Sequence, residues 1–136
     1  MTDLLNAKNK LKVGLFTCVL CKGKSIYTSN DRGIKPLVKW HLGGEDFSSY
    51  SAADKVVGKG AAFVYLLMKI KNIYADVISE AALRLFNENG INVEYNMLVS
   101  NIINRKGDGI CPFEEAVLNI DDKDKALEII LNKIKI

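Results

Sequence analysis

Ser51-Ala-Ala-Asp-Lys-Val-Val-Gly-Lys-Gly-Ala-Ala62 is the stretch on which the fold turns. It opens with polar chemistry and continues as an almost unbroken apolar segment to Met68. Ser51 has the residue type of a helix N-cap, and Asp54, three residues on, is a shortened version of the Glu that completes a capping box. The run predicts a helix over residues 51–68. Such a helix is apolar all round, which places it in the middle of a fold rather than on its surface. Gly58 and Gly60 then fall inside it, each costing about 1 kcal/mol of helix propensity relative to alanine. That cost implies close approach of another backbone or of a ligand. The polar groups at the tip, Ser51, Asp54, Lys55 and Lys59, are expected at the floor or rim of a pocket.

Toward the N-terminus, residues 2–9 read as a short helix and residues 15–21 as a strand rich in β-formers. Lys22-Gly-Lys makes a turn and residues 25–29 return as a second strand, so the pair is a hairpin. Asp31-Arg-Gly is another turn, followed by a short helix over 36–41 that Gly43-Gly44 ends. Toward the C-terminus, residues 72–78 form a strand. Ser79 caps a helix over 80–89, and Gly90 stops it as a C-terminal glycine should. Residues 91–99 form a strand and 100–110 a loop. Pro112 is a natural first residue for a short helix to 118. Residues 121–135 form an amphipathic final helix with Ala126, Leu127, Ile130, Leu131 and Ile134 on its apolar face.

The order α-β-β-α-α-β-α-β-α-α predicts a mixed sheet. Its first two strands pair antiparallel, and those separated by helices pair parallel through right-handed crossovers. Helices cover both faces, which gives a three-layer α/β/α sandwich. A chain of 136 residues that is 49% hydrophobic reads as one domain, residues 1–136, with a sizeable core. The formal charge of +3 comes with scattered lysines and no aromatic interleaving, so no nucleic-acid partner is expected. The N-terminus lacks the apolar core of a signal peptide, and the longest apolar stretch, 61–68, is far short of the roughly 20 residues a membrane span needs. A cytoplasmic protein without a membrane partner is expected. Three cysteines are an odd number and too few for a disulfide framework, so reduced thiols are expected.

Cys18-x-x-Cys21 lies on a predicted strand, where positions three apart point to opposite faces. It therefore reads as two packed cysteines rather than a chelating pair. Cys111 precedes Pro112 at a helix start, where backbone N–H groups favour a thiolate, although Glu114 and Glu115 oppose that effect. It reads either as an N-cap or as a nucleophile. His41, the only histidine, reads as partly exposed. The tips at Ser51 and Ser79 are expected to face one another at the carboxyl ends of the strands, the usual ligand crevice of open α/β sheets. Helix N-termini offer free N–H donors suited to an anion or phosphate. Lys55 and Lys59 would add charge, Asp54 and Glu80 would bind a hydroxyl or amine or act as a base, and Asn104 and Arg105 would line the rim. The same residues also read more plainly, with Ser51 and Asp54 as a capping box and Asn104 and Arg105 as loop polarity.

A hairpin followed by helix, strand, helix and strand resembles the core of the cytidine-deaminase-like superfamily. In that superfamily two helix N-termini converge on a zinc ion, held by a His or Cys two residues before a catalytic Glu and by Pro-Cys-x-x-Cys after the central strand. The matching places are Ala52-Ala-Asp54 and Glu80-Ala-Ala-Leu-Arg84. Ala52, Ala81 and Arg84 stand where the three ligands would be, and Asp54 stands at the position of the catalytic Glu, one methylene shorter. The resemblance thus implies a fold with no metal ligands and no cofactor. The chain is more closely similar to domain-of-unknown-function family 1893, placed in that superfamily, over residues 15–120. The carriers are Ala53-Asp-Lys-Val-Val-Gly-Lys, Tyr74-Ala-Asp-Val-Ile-Ser-Glu, Asn104-Arg105, and Cys111-Pro112 with Glu114. That family carries no established activity.

Three functional expectations follow. The first is a protein binding a small anionic or nucleotide-like ligand at the converging tips. The second is a metal-independent enzyme with Asp54 as acid/base and Cys111 as nucleophile. The third is an interaction module whose crevice is vestigial. A homo-oligomer is expected from the resemblance, since members of the superfamily often pair.

Overall fold

In the computed structural model, which describes residues 2–134, the chain runs through eleven elements in order. They are α1 (Asp3–Val13), β1 (Cys18–Lys22), β2 (Ser25–Ser29), α2 (Lys35–Leu42), β3 (Ser51–Val57), α3 (Lys59–Leu67), β4 (Asn72–Ser79), α4 (Glu80–Glu88), β5 (Asn92–Val99), α5 (Pro112–Val117) and α6 (Lys123–Ile134). The last residue of the predicted final helix, Lys135, lies outside the described residues. The strands form one open sheet in the order β2-β1-β3-β4-β5. β1 pairs antiparallel with both β2 and β3, while β3, β4 and β5 run parallel. The mixed sheet expected from the sequence is present, with one more strand than the predicted order contains.

The extra strand is the first half of the decisive run. Residues 51–57 are not a helix: they form β3, paired with β1 on one side and β4 on the other. The alanines that suggest a helix serve here as small residues in a central strand. Ala52 packs into the larger core and Ala53 against α1, on opposite faces of the sheet. Pairing on both sides outweighs the weak local preference for helix, because strand formation depends on neighbours more than on intrinsic tendency. Gly58 is the junction: its extended backbone (φ −96°, ψ −179°) makes it the N-cap of α3. Neither glycine therefore sits inside a long helix. Gly60 is where another backbone approaches, for a Cβ there would lie 3.2 Å from the Phe113 carbonyl oxygen.

The hairpin forms as expected, turned at Gly23 with φ +58°. Ser79 caps α4 by accepting the Ala82 N–H, and Gly90 follows α4 in the left-handed region (φ +71°). α1 covers one face of the sheet, placing Ala7 and Leu11 against Val19, Cys21, Ala53 and Tyr74. The other helices cover the opposite face around Leu20, Phe63, Tyr65, Ile78, Phe86, Val117 and Ile130. The result is three layers. Cys18 belongs to the larger core and Cys21 to the α1 cluster, so the two thiols face opposite ways.

Candidate functional site

Adjacent parallel strands bring two helix starts side by side. β3 ends at Val57 and β4 passes Ile78 in the same register, and each feeds directly into a helix. The N–H groups of a first helical turn have no partner within the helix and carry the positive end of its dipole. Such a place attracts an anion. Glu114 of α5 supplies one from within the chain, with 1% of its surface exposed. Its Oε1 accepts the Lys59 N–H at 3.0 Å and the Ser79 hydroxyl. Its Oε2 accepts the Ile102 N–H at 2.5 Å. Lys59 is buried, and its Nζ donates to the Leu118 carbonyl at 2.7 Å, just past the C-terminus of α5. One residue of α3 thus holds α5 at both ends. Gly58 leaves room for this, since a Cβ there would come within 3.1 Å of Ile102 Cγ1 and 3.4 Å of Glu114 Oε1.

A second cluster lies between β1, β3 and α3, where buried Tyr65 and Cys18 meet the half-buried Asp54. Tyr65 donates its hydroxyl to Asp54 Oδ2 at 2.6 Å, and Cys18 Sγ lies 3.2 Å from the same hydroxyl. Val56 N–H donates to Asp54 Oδ1 at 3.2 Å. Burial pushes the Asp54 carboxyl up to about 6, with the hydrogen bonds from Tyr65 and Val56 pulling the other way. Burial, reinforced by the Asp54 charge, raises both the Tyr65 phenol and the Cys18 thiol well above their ordinary values. Cys18 is therefore held as an unreactive thiol, and Asp54 is the group here that changes charge near neutral pH.

The expected site residues fall in several places. Ser51 lies at the opposite end of β3 from Gly58, in register with Asn72, whose Nδ2 donates to its hydroxyl at 3.3 Å. It is not a helix cap and does not face Ser79, because the segment between Ser51 and Gly58 is extended. Asp54 is accordingly no capping-box partner. It bonds Tyr65 rather than a lysine. Lys55 is exposed on β3 and Lys59 is buried at the start of α3, so they are not one helical turn apart. Glu80 is exposed in the first turn of α4. Asn104 donates to Asp108 within its own loop, and Arg105 is exposed beside Gly33. Cys111 is the N-cap of α5 with no side-chain capping bond, and His41 is half-buried near the end of α2. Of the residues expected to converge, the structure brings together Lys59 and Ser79.

Glu114, Tyr65 and Cys18 are the members the sequence reading does not place in a site. Cys111-x-x-Glu114 does carry a trace of Glu114's role, as a capping box with a thiol in place of the hydroxyl. Here the carboxylate reaches across to α3 and α4, and the Cys111 N–H goes to the Ile102 carbonyl at 2.7 Å.

The starts of α3 (Lys59-Gly-Ala) and α4 (Glu80-Ala-Ala) offer no His or Cys, so this donor set does not fit the zinc of the deaminase-like superfamily. Among the described residues no group of three His, Cys, Asp or Glu side chains is placed to hold a metal ion. Open depressions among those residues include two that lie away from this site. One of about 190 Å³ is lined by His41, Phe47, Met68 and Lys69 among others. One of about 630 Å³ is lined by Glu80, Leu83, Arg84, Asn87, Glu88 and Leu98. Neither includes Asp54, Lys59, Ser79 or Glu114. Among the described residues no helix is long and apolar enough to cross a membrane.

Residues 6–134 match the family described as Domain of unknown function (DUF1893). A solved crystal structure of a DUF1893 family protein from Thermotoga maritima is similar to the chain, with a TM-score of 0.88 and 34% sequence identity. That likeness covers 98% of this chain and 91% of the other. No curated protein matches it.

Proposed function

This chain belongs to the DUF1893 family, and on that footing we propose that it is an interaction module on a deaminase-like scaffold, its ligand crevice closed from within. The single observation that carries the reading is the Glu114 carboxylate, seated across the starts of α3 and α4 with three donors on it. The deaminase-like part is supported by the hairpin leading into parallel strands and by two helix starts that meet at their carboxyl ends. An anion entering this crevice has to displace a buried, hydrogen-bonded carboxylate, a loss on the order of 3–5 kcal/mol when such a group loses its partners. Among the described residues no buried side-chain nitrogen or oxygen lacks a hydrogen-bond partner, so no buried side chain there is left needing a ligand.

The rival reading, a small anionic or nucleotide-like ligand held by Lys59 and Ser79 with Asn104 and Arg105 at the rim, needs Glu114 to swing out. The enzyme reading needs Asp54 and Cys111 to act together, and Asp54 bonds Tyr65 instead.

Thermal denaturation with added inorganic phosphate or a nucleoside monophosphate separates these. Wild type should show no saturable stabilisation up to about 10 mM, whereas Glu114→Ala, with its donors freed, should gain a few degrees from phosphate. Saturable stabilisation of wild type, lost in Ser79→Ala, would overturn the closed-crevice reading.

A further inference from the structure

The two edges of the sheet differ in kind. β2 has five residues and carries four hydroxyls, Ser25, Tyr27, Thr28 and Ser29. β5 has eight residues, with Tyr95, Met97 and Leu98 exposed at 42%, 53% and 40%. A long edge presents a row of unpaired N–H and C=O groups, and monomeric proteins guard such rows with lysine, proline or a bulge. β5 contains no Lys, Arg or Pro. Its one charge, Glu94, is paired with Lys8 at 2.5 Å.

Both faces beside this edge are prepared for contact. On one face Val56, Val77 and Met97 are neighbours in register across β3, β4 and β5. The α1 cluster ends at Ala53 and Tyr74 and leaves that row uncovered. On the other face Leu98 lines the open depression of about 630 Å³ together with five residues of α4. Glu80, Arg84 and Glu88 follow one another at four-residue spacing along that helix, as an acid-base-acid stripe.

Building on the interaction reading above, we infer that the partner is a second copy of this chain, with β5 pairing antiparallel to β5 of the partner. The two five-stranded sheets then join, and the two α4 helices run side by side on one face. α4 packs over β4 and β5. A helix centred between β4 and β5 sits half a strand spacing inside the edge, so the two helices are about two spacings apart, about 9.6 Å, within the 8–10 Å of packed helices. With the two-fold axis between Arg84 and Glu88, each Arg84 meets Glu88 of the partner, twice over, as an isologous contact requires. Eight strand residues span about 26 Å, and strand plus helix layers are about 20 Å deep. That is about 500 Å² on each copy and about 1,000 Å² in all, the lower end of specific interfaces. An interface of that size belongs to the weak, transient class of association.

Sedimentation velocity of the full chain from about 1 to 500 µM tests this. Wild type should pass from monomer to dimer. Arg84→Glu and Met97→Lys, both at exposed positions, should each weaken association about tenfold or more. Arg84→Glu/Glu88→Arg, which restores complementary pairs, should return it to within about threefold of wild type. A monomer throughout the range, or a dimer indifferent to Arg84→Glu and Met97→Lys, would overturn the inference. The phosphate titration keeps the two ideas apart. A monomer whose wild-type form ignores phosphate sinks the dimer and leaves the closed crevice, while a dimer that binds phosphate at Ser79 does the reverse.

Discussion

Glu114 accepts the backbone N–H of Lys59 at 3.0 Å, so the start of α3 is tied to a carboxylate 55 positions later in the chain. The same lysine returns its ammonium to the Leu118 carbonyl beyond the other end of α5. A helix of six residues is too short to hold itself together in water. α5 owes its shape to this double attachment, and the crevice it closes is closed by the same bonds.

Removing the Glu114 side chain should therefore act on stability far more than a surface change would. Glu114→Ala leaves the Lys59 N–H, the Ser79 hydroxyl and the Ile102 N–H without their acceptor, and the expected loss is about 3–5 kcal/mol. Ser79→Ala, which removes one cap and one of those bonds, should cost about 1–2 kcal/mol. The double variant should lose less than the sum, because the two residues share a bond. Urea denaturation of the three variants checks this, and strict additivity would argue against the Ser79–Glu114 contact.

Asp54 should give stability a pH dependence of unusual sign for a carboxylate. Its folded value of about 6 lies above the unfolded value of about 3.9. The folded state therefore holds the proton more tightly. The stabilisation is fully present below about pH 4 and is lost as pH rises toward 6, on the order of 2–3 kcal/mol in all. Asp54→Asn keeps an acceptor for Tyr65 and removes the titration. Wild type should thus lose stability relative to Asp54→Asn between pH 4 and pH 7. A difference between the two that stays flat over that window would mean that Asp54 ionises as it does in an unfolded chain.

The parts of this fold that the sequence announces are those with local signals. Lys22-Gly-Lys turns the hairpin, Ser79 caps α4 and Gly90 ends it, and each acts on atoms within a few residues of itself. β3 has no such signal. Its Ala52 and Ala53 are good helix formers, and what makes them a strand is β1 on one side and β4 on the other. Because β3 is extended, Ser51 lies at the far end of the strand from Gly58 rather than at a helix tip beside Ser79. Glu114 is hidden for a related reason. Its three partners lie 12, 35 and 55 positions away, beyond any periodicity or capping pattern. Ser79 is legible because it stands at a helix start as a cap, whereas Lys59 is expected at the site only as part of a helix beginning at Ser51 and reaches it because α3 begins at Lys59 itself.

Gly60→Ala tests whether close backbone approach, rather than conformational freedom, explains that glycine. In an open helix the change should stabilise by about 1 kcal/mol. Here the new Cβ meets the Phe113 carbonyl oxygen at 3.2 Å and Ile34 Cδ1 at 3.5 Å. The carbonyl belongs to α5, which Glu114 and Lys59 hold in place, so it has little freedom to yield. The expected result is a net loss of about 1 kcal/mol or more in a urea melt. A gain would mean that α5 shifts readily, and the closed crevice would then be easier to open than its hydrogen bonds suggest.

The thiols should separate into one accessible group and two protected ones. Cys18 and Cys21 are buried on opposite faces of the sheet, and burial raises both thiols. Cys111 is half-buried at the start of α5. A thiol reagent added to the folded protein should therefore modify one residue quickly. The other two should react about a hundredfold more slowly or less, at a rate set by opening of the sheet. Cys111→Ser should abolish the fast phase. The fast phase also bears on the enzyme reading. If Cys111 is a simple helix N-cap, blocking it leaves stability close to that of wild type. If modification of Cys111 loosens α5, the loss should fall on the Glu114 bonds, and phosphate should then stabilise the modified protein as it does Glu114→Ala.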